Sequence, residues 1–553
     1  MPRHTRFAIF LRVVLLPLGL IGSTVAGLGS YYETSDETSM AWLFNGTLAL
    51  KPVVYLPLYF HGYGHLLAAA YMAAPGVPWL GVLLAGLLAG ATVLAFAVLD
   101  RLLRPHFGPA GLVGVLVAFF VLAWLEHWLW FSHVRVALVA AAMAVLFAAQ
   151  RPGRRGALAV GLLGLGAAWL LRPSTAWLGL AAALPGAIWL AGSARRAAPA
   201  LVGGAALLVL ATSAAALIQT PGQARAQARD TYLARILDFN QLRPQPRTPA
   251  DSLGTEAVRL WLLGDSSVVN EAFCQRVYHF DAPDFWLSEV PAKLRLRAGL
   301  LLRDYFPLLL ALAATAVVAE RGGRPRRGFW LVQAGFGGAL VLLAGVLKLP
   351  PRLALPLLDC WLLANGAFLL ARPVVWRNSG PKPVFSRKAS GLVAALALAV
   401  FGLYSLKTGH RWWVLSAERG RHEEALRTIG IGAGRVVLMA GTNDLLKSLS
   451  PFRPYGAAPA SVLLLTGWPS YDASQASLRY ALSHTTDQTE CLRRLAARPQ
   501  GLAPKWVLTP EAVRWLARRT RMAGGHRLLF RPVVVVVPHS ALLEYSVSLK
   551  QLP

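Results

Sequence analysis

Residues 80–99 have the sequence LGVLLAGLLAGATVLAFAVL and contain no charged side chain. Twenty residues in a helix rise about 30 Å, which matches the hydrocarbon core of a bilayer, so the stretch predicts a transmembrane helix. Ten further apolar stretches predict the same structure, and together they give about eleven spans. These ten stretches are 8–28, 109–125, 134–149, 157–171, 175–192, 200–218, 305–319, 329–347, 353–371 and 389–406.

Composition supports a membrane protein. Of the 553 residues, 56% are hydrophobic and 15% are charged, whereas a soluble domain carries about 25% charged residues. The fold class predicted is mainly α, a polytopic bundle of transmembrane helices. The net charge of +29 raises the possibility of nucleic-acid binding. The positive charges cluster in short loops between apolar segments, however, so we exclude nucleic acid and expect membrane lipids as partners.

The distribution of Lys and Arg predicts the orientation. One set of short loops carries eighteen of these residues, and the opposite set carries five. The richer set is therefore cytoplasmic, and so is the N-terminus. An odd number of spans then places the C-terminal part outside. For a bacterial inner (plasma) membrane, that side is the periplasm.

The chain is predicted to have two domains. Residues 1–406 form the membrane domain, with two large outer loops at 29–79 and 219–304. The tail, residues 407–553, forms a small extracytoplasmic α/β domain. Its apolar runs 436–440, 461–465 and 533–537 predict buried strands. The spacing at 473–498 and 510–523 predicts helices, and Thr509-Pro510-Glu511 is a helix-start signal.

An acidic segment follows the first span directly. Residues 31–38 have the sequence YYETSDET and place Glu33, Asp36 and Glu37 at the outer rim of the membrane. An acidic loop that only faces solvent is one interpretation. The alternative is catalytic, since a positioned carboxylate can take a proton from an acceptor group.

Three cations lie at the outer ends of predicted spans. They are Arg172, Lys348 and Arg352. A lipid phosphate occupies this depth, and an Arg side chain can hold it with two parallel hydrogen bonds. The alternative is that each side chain only reaches out to lipid headgroups.

Other polar residues lie in aromatic outer segments. Glu126 falls within the tryptophan-rich stretch 124–135, where it either faces a cavity or belongs to an interfacial belt. His61 and His65 are four residues apart and could share a helix face to bind a divalent metal. The interrupting glycines favour interfacial hydrogen bonding instead. Tyr59 lies in the same segment, which could cover a sugar.

The acidic pair and the topology resemble those of a known family. An acidic pair in the first outer loop of a bundle of about eleven spans resembles the GT-C superfamily of glycosyltransferases, such as protein mannosyltransferases and aminoarabinose lipid A transferases. Asp36-Glu37 is similar to the acidic pair of that superfamily. Three further short motifs are similar: LYFHGYGH (58–65), LRP (171–173) and KLPPRLALP (348–356).

The resemblance implies a function. It implies an inverting glycosyltransferase that moves one sugar from a polyprenyl-phosphate donor to a lipid, glycan or protein acceptor on the outer face. Asp36 would be the base, with Glu37 or Glu33 binding the acceptor or a metal. Arg172, Lys348 and Arg352 would hold the donor phosphate, and Tyr59, His61, His65 and Glu126 would contribute to substrate binding. No resident cofactor or metal site is assigned.

Two other classes of protein stay open. A surface-polysaccharide polymerase or ligase shares the donor lipid and a large outer loop, which 219–304 could be. A lipid-linked sugar flippase or transporter would usually have paired repeats and broken helices in both halves, and the sequence has no such repeats.

Overall fold

The structure is a computed structural model of the chain. It describes most of the chain in seven stretches. These are residues 3–56, 62–321, 327–370, 387–456, 459–499, 501–536 and 542–551.

Helices make up most of the described residues. In chain order they are α1 (Arg3–Phe10), α2 (Leu16–Leu28), α3 (Ser35–Phe44), α4 (Gly64–Ala73), α5 (Trp79–Leu103), α6 (Pro109–Phe119), α7 (Leu125–Leu129), α8 (His133–Ala149), α9 (Arg155–Leu171), α10 (Pro173–Ala191), α11 (Ala194–Ile218), α12 (Pro221–Leu237), α13 (Pro249–Arg259), α14 (Glu271–Val277), α15 (Ala282–Asp284), α16 (Val290–Arg321), α17 (Arg327–Gly345), α18 (Pro351–Leu370), α19 (Arg387–Ile429), α20 (Ala473–Ser483), α21 (Gln488–Ala496) and α22 (Pro510–Met522). Short π-helical segments occur at Leu11–Leu15, Phe120–Trp124 and Phe285–Glu289, and a 3-10 turn at Trp468–Tyr471.

Strands are short and lie mostly near the C-terminus. They are β1 (Tyr31–Tyr32), β2 (Trp130–Phe131), β3 (Arg243–Pro244), β4 (Tyr278–His279), β5 (Val437–Ala440), β6 (Val462–Leu464), β7 (Lys505–Leu508), β8 (His526–Val535) and β9 (Leu543–Gln551).

The chain divides into two compact units, each built from three separate segments. The membrane unit comprises Met1–Ser30, Leu83–Thr220 and Glu289–Val414. The α/β unit comprises Tyr31–Val82, Pro221–Ser288 and Leu415–Pro553. The first outer loop and the insert 219–304 were predicted as loops of the membrane domain. Most of each instead belongs with the tail.

The apolar segments form helices of membrane-spanning character. Among the described residues, eight helices are long and apolar enough to cross a bilayer. The apolar helices α8 and α9 are shorter, at 17 residues each. The last apolar segment falls in α19, part of which lies outside the residues whose side chains are described. The fold is therefore mainly helical and membrane-spanning, and the count of eleven is not confirmed.

Small residues let helices of the membrane unit approach closely. Nearly every residue of α8 is buried, and alanines fill much of it. A Cβ added at Gly179 of α10 would lie 2.7 Å from the Cβ of Ala141 and 2.8 Å from the carbonyl oxygen of Leu138. One added at Gly161 of α9 would lie 2.6 Å from the Cβ of Ala148. Because lipid is as apolar as the helices, close van der Waals packing of this kind is what favours their association.

The α/β unit is built on a five-stranded sheet with the order β6-β5-β7-β9-β8. Strand β5 is parallel to both β6 and β7, whereas β9 is antiparallel to β7 and β8. The predicted strands correspond to β5, β6 and part of β8. The predicted helix 510–523 is α22, whose N-cap Thr509 accepts a hydrogen bond from the Ala512 amide. The predicted helix 473–498 is two helices, α20 and α21, because His484 ends α20 in a left-handed conformation that a helix cannot continue.

One hydrophobic core joins the insert to the tail. Leu253, Val258 and Phe273 of the insert are buried with Leu508 and Trp515 of the tail. The Trp515 indole N–H also donates to the Leu253 carbonyl oxygen at 3.0 Å. The insert is therefore part of the α/β fold, and not a loop of the membrane domain as predicted.

Substitution of Gly179 by Ala should destabilise the membrane unit. The added methyl group meets a stiff Cβ and a backbone oxygen, and overpacking of this kind costs about 1–3 kcal/mol. Gly156→Ala is the matched control, since a Cβ there meets nothing within 4 Å. Thermal unfolding in detergent should show a lower Tm for Gly179→Ala alone. Equal Tm values for the two variants would contradict the close approach of α8 and α10.

Candidate functional site

The acidic segment forms the first turn of a helix in the α/β unit. Thr34 is the N-cap of α3, and its hydroxyl oxygen accepts a hydrogen bond from the Asp36 amide at 3.3 Å. Asp36 and Glu37 lie in the first turn of this helix. Carboxylates are favoured there, because the unpaired amides of a helix N-terminus carry partial positive charge. Local helix chemistry thus explains why the acids are tolerated together.

Asp36 is held by a residue from the tail. The indole N–H of Trp468 donates to Asp36 Oδ1 at 3.0 Å. The hydroxyl of Thr34 lies 3.2 Å from the other oxygen, Oδ2. The side chains of Asp36 and Trp468 are both only partly buried. The carboxylate therefore has a defined orientation in a residue that is partly exposed.

This carboxylate lies near the carboxyl ends of parallel strands. Trp468 follows β6 by four residues. Helix α3 is tied to the chain after β5, since the Thr38 hydroxyl donates to the Leu446 carbonyl oxygen and the Tyr32 amide to that of Leu449. In open sheets with parallel strands, ligands bind outside the carboxyl ends of the strands. The position of Asp36 fits that rule.

The other two acids of the segment differ from Asp36. Glu37 is fully buried, and Thr34 Oγ1 donates to its Oε2 at 2.7 Å. Glu33 is partly exposed just before the helix. Of the three acids, Glu37 is therefore the least accessible, whereas Glu33 and Asp36 are partly exposed.

The 3-10 turn that contains Trp468 contacts a buried carboxyl group, that of Asp230. Arg229 donates two hydrogen bonds of 3.2 Å to Asp230 Oδ1, and its guanidinium lies 4.4 Å from the centre of the Tyr471 ring. Burial raises the pKa of Asp230 to about 6, and the neighbouring Arg229 offsets this only in part. Tyr471 ends the 3-10 turn and bonds to Asp230. Ionisation of Asp230 therefore alters a contact with the last residue of this turn.

The membrane unit contains a separate cluster around Glu126. Lys407 Nζ donates to Glu126 Oε1 at 2.6 Å, and Arg411 Nη1 donates to Oε2 at 2.7 Å. The Tyr404 hydroxyl also donates to Oε1, at 3.1 Å. The Arg411 guanidinium lies 4.7 Å from the centre of the Trp130 ring. Glu126 is thus buried, and both of its carboxylate oxygens are paired with cations among the described residues.

A second buried pair lies beside Glu126 in the same unit. His127 Nε2 and Asp359 Oδ2 are 2.8 Å apart, and both side chains are fully buried. Arg135 is buried as well and donates to the Glu126 carbonyl oxygen. Neither His127 nor Asp359 is among the site residues predicted from the sequence. The available signal was Asp359, which is the single charged residue within 353–371.

The predicted phosphate-binding cations all lie in the membrane unit. Arg172 lies at the break between α9 and α10, where its Nη1 donates to His133 Nε2 at 2.9 Å. Lys348 precedes α18, and Arg352 is in its first turn; both side chains are partly buried. The predicted acids lie in the α/β unit.

Of the two histidines in the aromatic segment, the structure describes only His65. His65 is exposed at the start of α4. Tyr59 and His61 lie outside the described residues. Within the described ranges, no group of three or more His, Cys, Asp and Glu side chains is arranged to hold a metal ion.

No family model, curated protein or solved structure matches this chain. The likeness to the GT-C superfamily therefore depends on the short motifs and on the succession of apolar segments.

The raised pKa of Asp230 predicts a pH dependence of stability. The folded state keeps the proton to about pH 6, whereas an unfolded chain loses it near 3.8. The contribution of this group is therefore complete below about pH 4 and is lost as the pH rises through 6. A change of two pKa units corresponds to about 1–3 kcal/mol.

Asp230→Asn isolates this effect. Tm should be measured in detergent from pH 4.5 to 7 for both proteins. The wild type should lose stability relative to Asp230→Asn as the pH rises across this range. A constant difference between the two proteins would mean that Asp230 is already ionised when folded.

Proposed function

We propose that the chain is an inverting glycosyltransferase of the GT-C type. It moves one sugar from a polyprenyl-phosphate donor to a lipid, glycan or protein acceptor. The observation that carries the proposal is Asp36, a partly exposed carboxylate held in a fixed orientation at the carboxyl ends of parallel strands. It follows directly after the first apolar helix of a membrane protein.

The reaction needs two kinds of group from the protein: a base for the acceptor proton and cations for the leaving phosphate. The acceptor oxygen or nitrogen forms a bond to the anomeric carbon of the sugar. The bond from that carbon to the phosphate oxygen breaks, and the polyprenyl phosphate leaves with the electron pair. Asp36 takes the proton of the acceptor, which is general-base catalysis. A single displacement of this kind inverts the configuration of the anomeric carbon.

The leaving phosphate needs positive charge. Arg172, Lys348 and Arg352 are proposed to supply it, as a bidentate Arg suits a phosphate. All three are partly buried in the membrane unit, at ends of apolar helices. Their other interactions within the protein do not exclude this role, because a bound phosphate can replace one partner.

We propose that the reaction takes place on the outer face of a bacterial inner membrane and contributes to the cell envelope. This location predicts the accessibility of the α/β unit. The native cysteines Cys274, Cys360 and Cys491 are all buried, so the background of thiol labelling should be low. Ser477 of α20 and Ser193, before α11, are both exposed.

In intact cells, Ser477→Cys should react with a membrane-impermeant thiol reagent. Ser193→Cys lies in a loop predicted to be cytoplasmic and should react only after permeabilisation. The measurement is the labelled fraction of each variant before and after permeabilisation. The reverse pattern would overturn the orientation and the proposed face of the reaction.

Asp36→Asn tests the base. The amide keeps the shape of the side chain but cannot accept the proton, so transfer should fall by about 10²–10⁴-fold. Donor binding should survive, because the carboxylate acts on the acceptor. The measurement is transfer of labelled sugar from a panel of polyprenyl-phosphate sugars by the purified protein in detergent, together with donor binding.

Two neighbouring variants serve as controls. Glu33→Gln should reduce transfer less than Asp36→Asn does. Glu37→Gln should have an intermediate effect and should also lower Tm, since Glu37 is buried against Thr34. Full activity of Asp36→Asn would reject Asp36 as the base. Transfer of a preassembled glycan instead of one sugar would indicate the polymerase or ligase.

A further inference from the structure

The indole of Trp468 contacts Asp36 from a distant part of the sequence. The two residues are 432 positions apart, and Trp468 Nε1 donates to Asp36 Oδ1. The Thr34 hydroxyl has a single proton and lies nearer to Glu37 Oε2, at 2.7 Å, than to Asp36 Oδ2, at 3.2 Å. The Trp468 N–H is therefore the stronger donor to the Asp36 side chain among the contacts described.

The backbone around Trp468 is firmly held. Gly467 has a φ of +82°, and a Cβ there would lie 3.3 Å from Asn443 Oδ1. Its amide donates to the Trp261 carbonyl oxygen, and its own carbonyl oxygen accepts from the Ser470 hydroxyl at 2.7 Å. A donor on such a fixed turn can impose one orientation on its partner.

We propose that Trp468 is a positioning residue for Asp36. Its N–H fixes Oδ1, so that Oδ2 is the oxygen presented to the acceptor proton. The tail then supplies an essential part of the site, and the first outer loop alone does not complete it. The inference rests on the proposed glycosyl transfer, which it extends to a residue that sequence analysis did not select.

The test is Trp468→Phe, which removes the N–H but keeps an aromatic ring. The kcat should fall by up to about 10²-fold, since loss of orientation at a reacting group has effects of that size. The KM for the donor should stay unchanged, because Trp468 does not hold the phosphate. Trp286→Phe is the matched control, as Trp286 is 53% exposed in the same unit.

A double-mutant cycle separates positioning from general stability. In an Asp36→Asn background, Trp468→Phe should cause no further loss of kcat, since the pair acts as one unit. An equal loss in both backgrounds, or wild-type kcat in Trp468→Phe, would overturn the inference. Trp468→His retains a ring N–H and should recover part of the activity. If Trp468→Phe fails to fold, Trp468→Leu, which also lacks the N–H, replaces it in the cycle.

A readout without transfer distinguishes the two possible failures. The Tm changes caused by Asp36→Asn and Trp468→Phe should be non-additive if the side chains interact. Non-additive Tm changes in a protein that transfers no sugar would reject the glycosyltransferase and keep the contact. Additive Tm changes in an active enzyme would reject the contact and keep the glycosyltransferase.

Discussion

The α/β unit depends on burial of Trp515 against the insert. The ring is 1% exposed, and its N–H is satisfied by the Leu253 carbonyl oxygen. Truncating a buried Trp costs about 3–5 kcal/mol, which is a large share of the stability of an ordinary domain. This contact fixes the insert on α22. The first outer loop is attached differently, by backbone hydrogen bonds such as that from Val462 to Thr47 at the edge of β6. The attachment of the first outer loop to the tail brings Asp36 to Trp468.

In the membrane unit the governing constraint is that buried charges must be paired. Asp100 is fully buried and is bound by Arg12 and Arg104. Glu126 is bound by Lys407 and Arg411. Removing one partner of such a pair leaves an uncompensated charge and costs several kcal/mol, whereas the intact pair adds little. Such charges are therefore weak evidence for stability. Charges inside a membrane are more often functional, and this makes the Glu126 cluster a second region of interest in the chain.

The periodic and compositional features of the fold could be predicted from the sequence, and the tertiary features could not. Uncharged stretches such as 80–99 and the helix-start signal at Thr509 each act locally, and their helices are present as expected. Strands β7 and β9 were not predicted. A short run such as Lys505–Leu508 becomes a strand only through its pairing with β5, which the sequence does not show. The acids of the site were selected because they stand out in an apolar chain. Trp468 was not selected, since no feature of the neighbouring sequence indicates a contact with Asp36.

The three-segment construction of the α/β unit also constrains how the protein is made. A ribosome adds about 5–20 residues per second, so the roughly 470 residues between Val82 and the end of β9 take about 25–95 s to synthesise. For most of that time, until residues such as Leu446 and Trp468 are made, the first outer loop lacks these partners in the tail. Most of the apolar helices are made within the same interval, while the buried faces of α3 and of the insert stay exposed. Long-range contacts of this kind form slowly. A nascent chain in this state therefore passes through a period in which the incomplete α/β unit is exposed to aggregation.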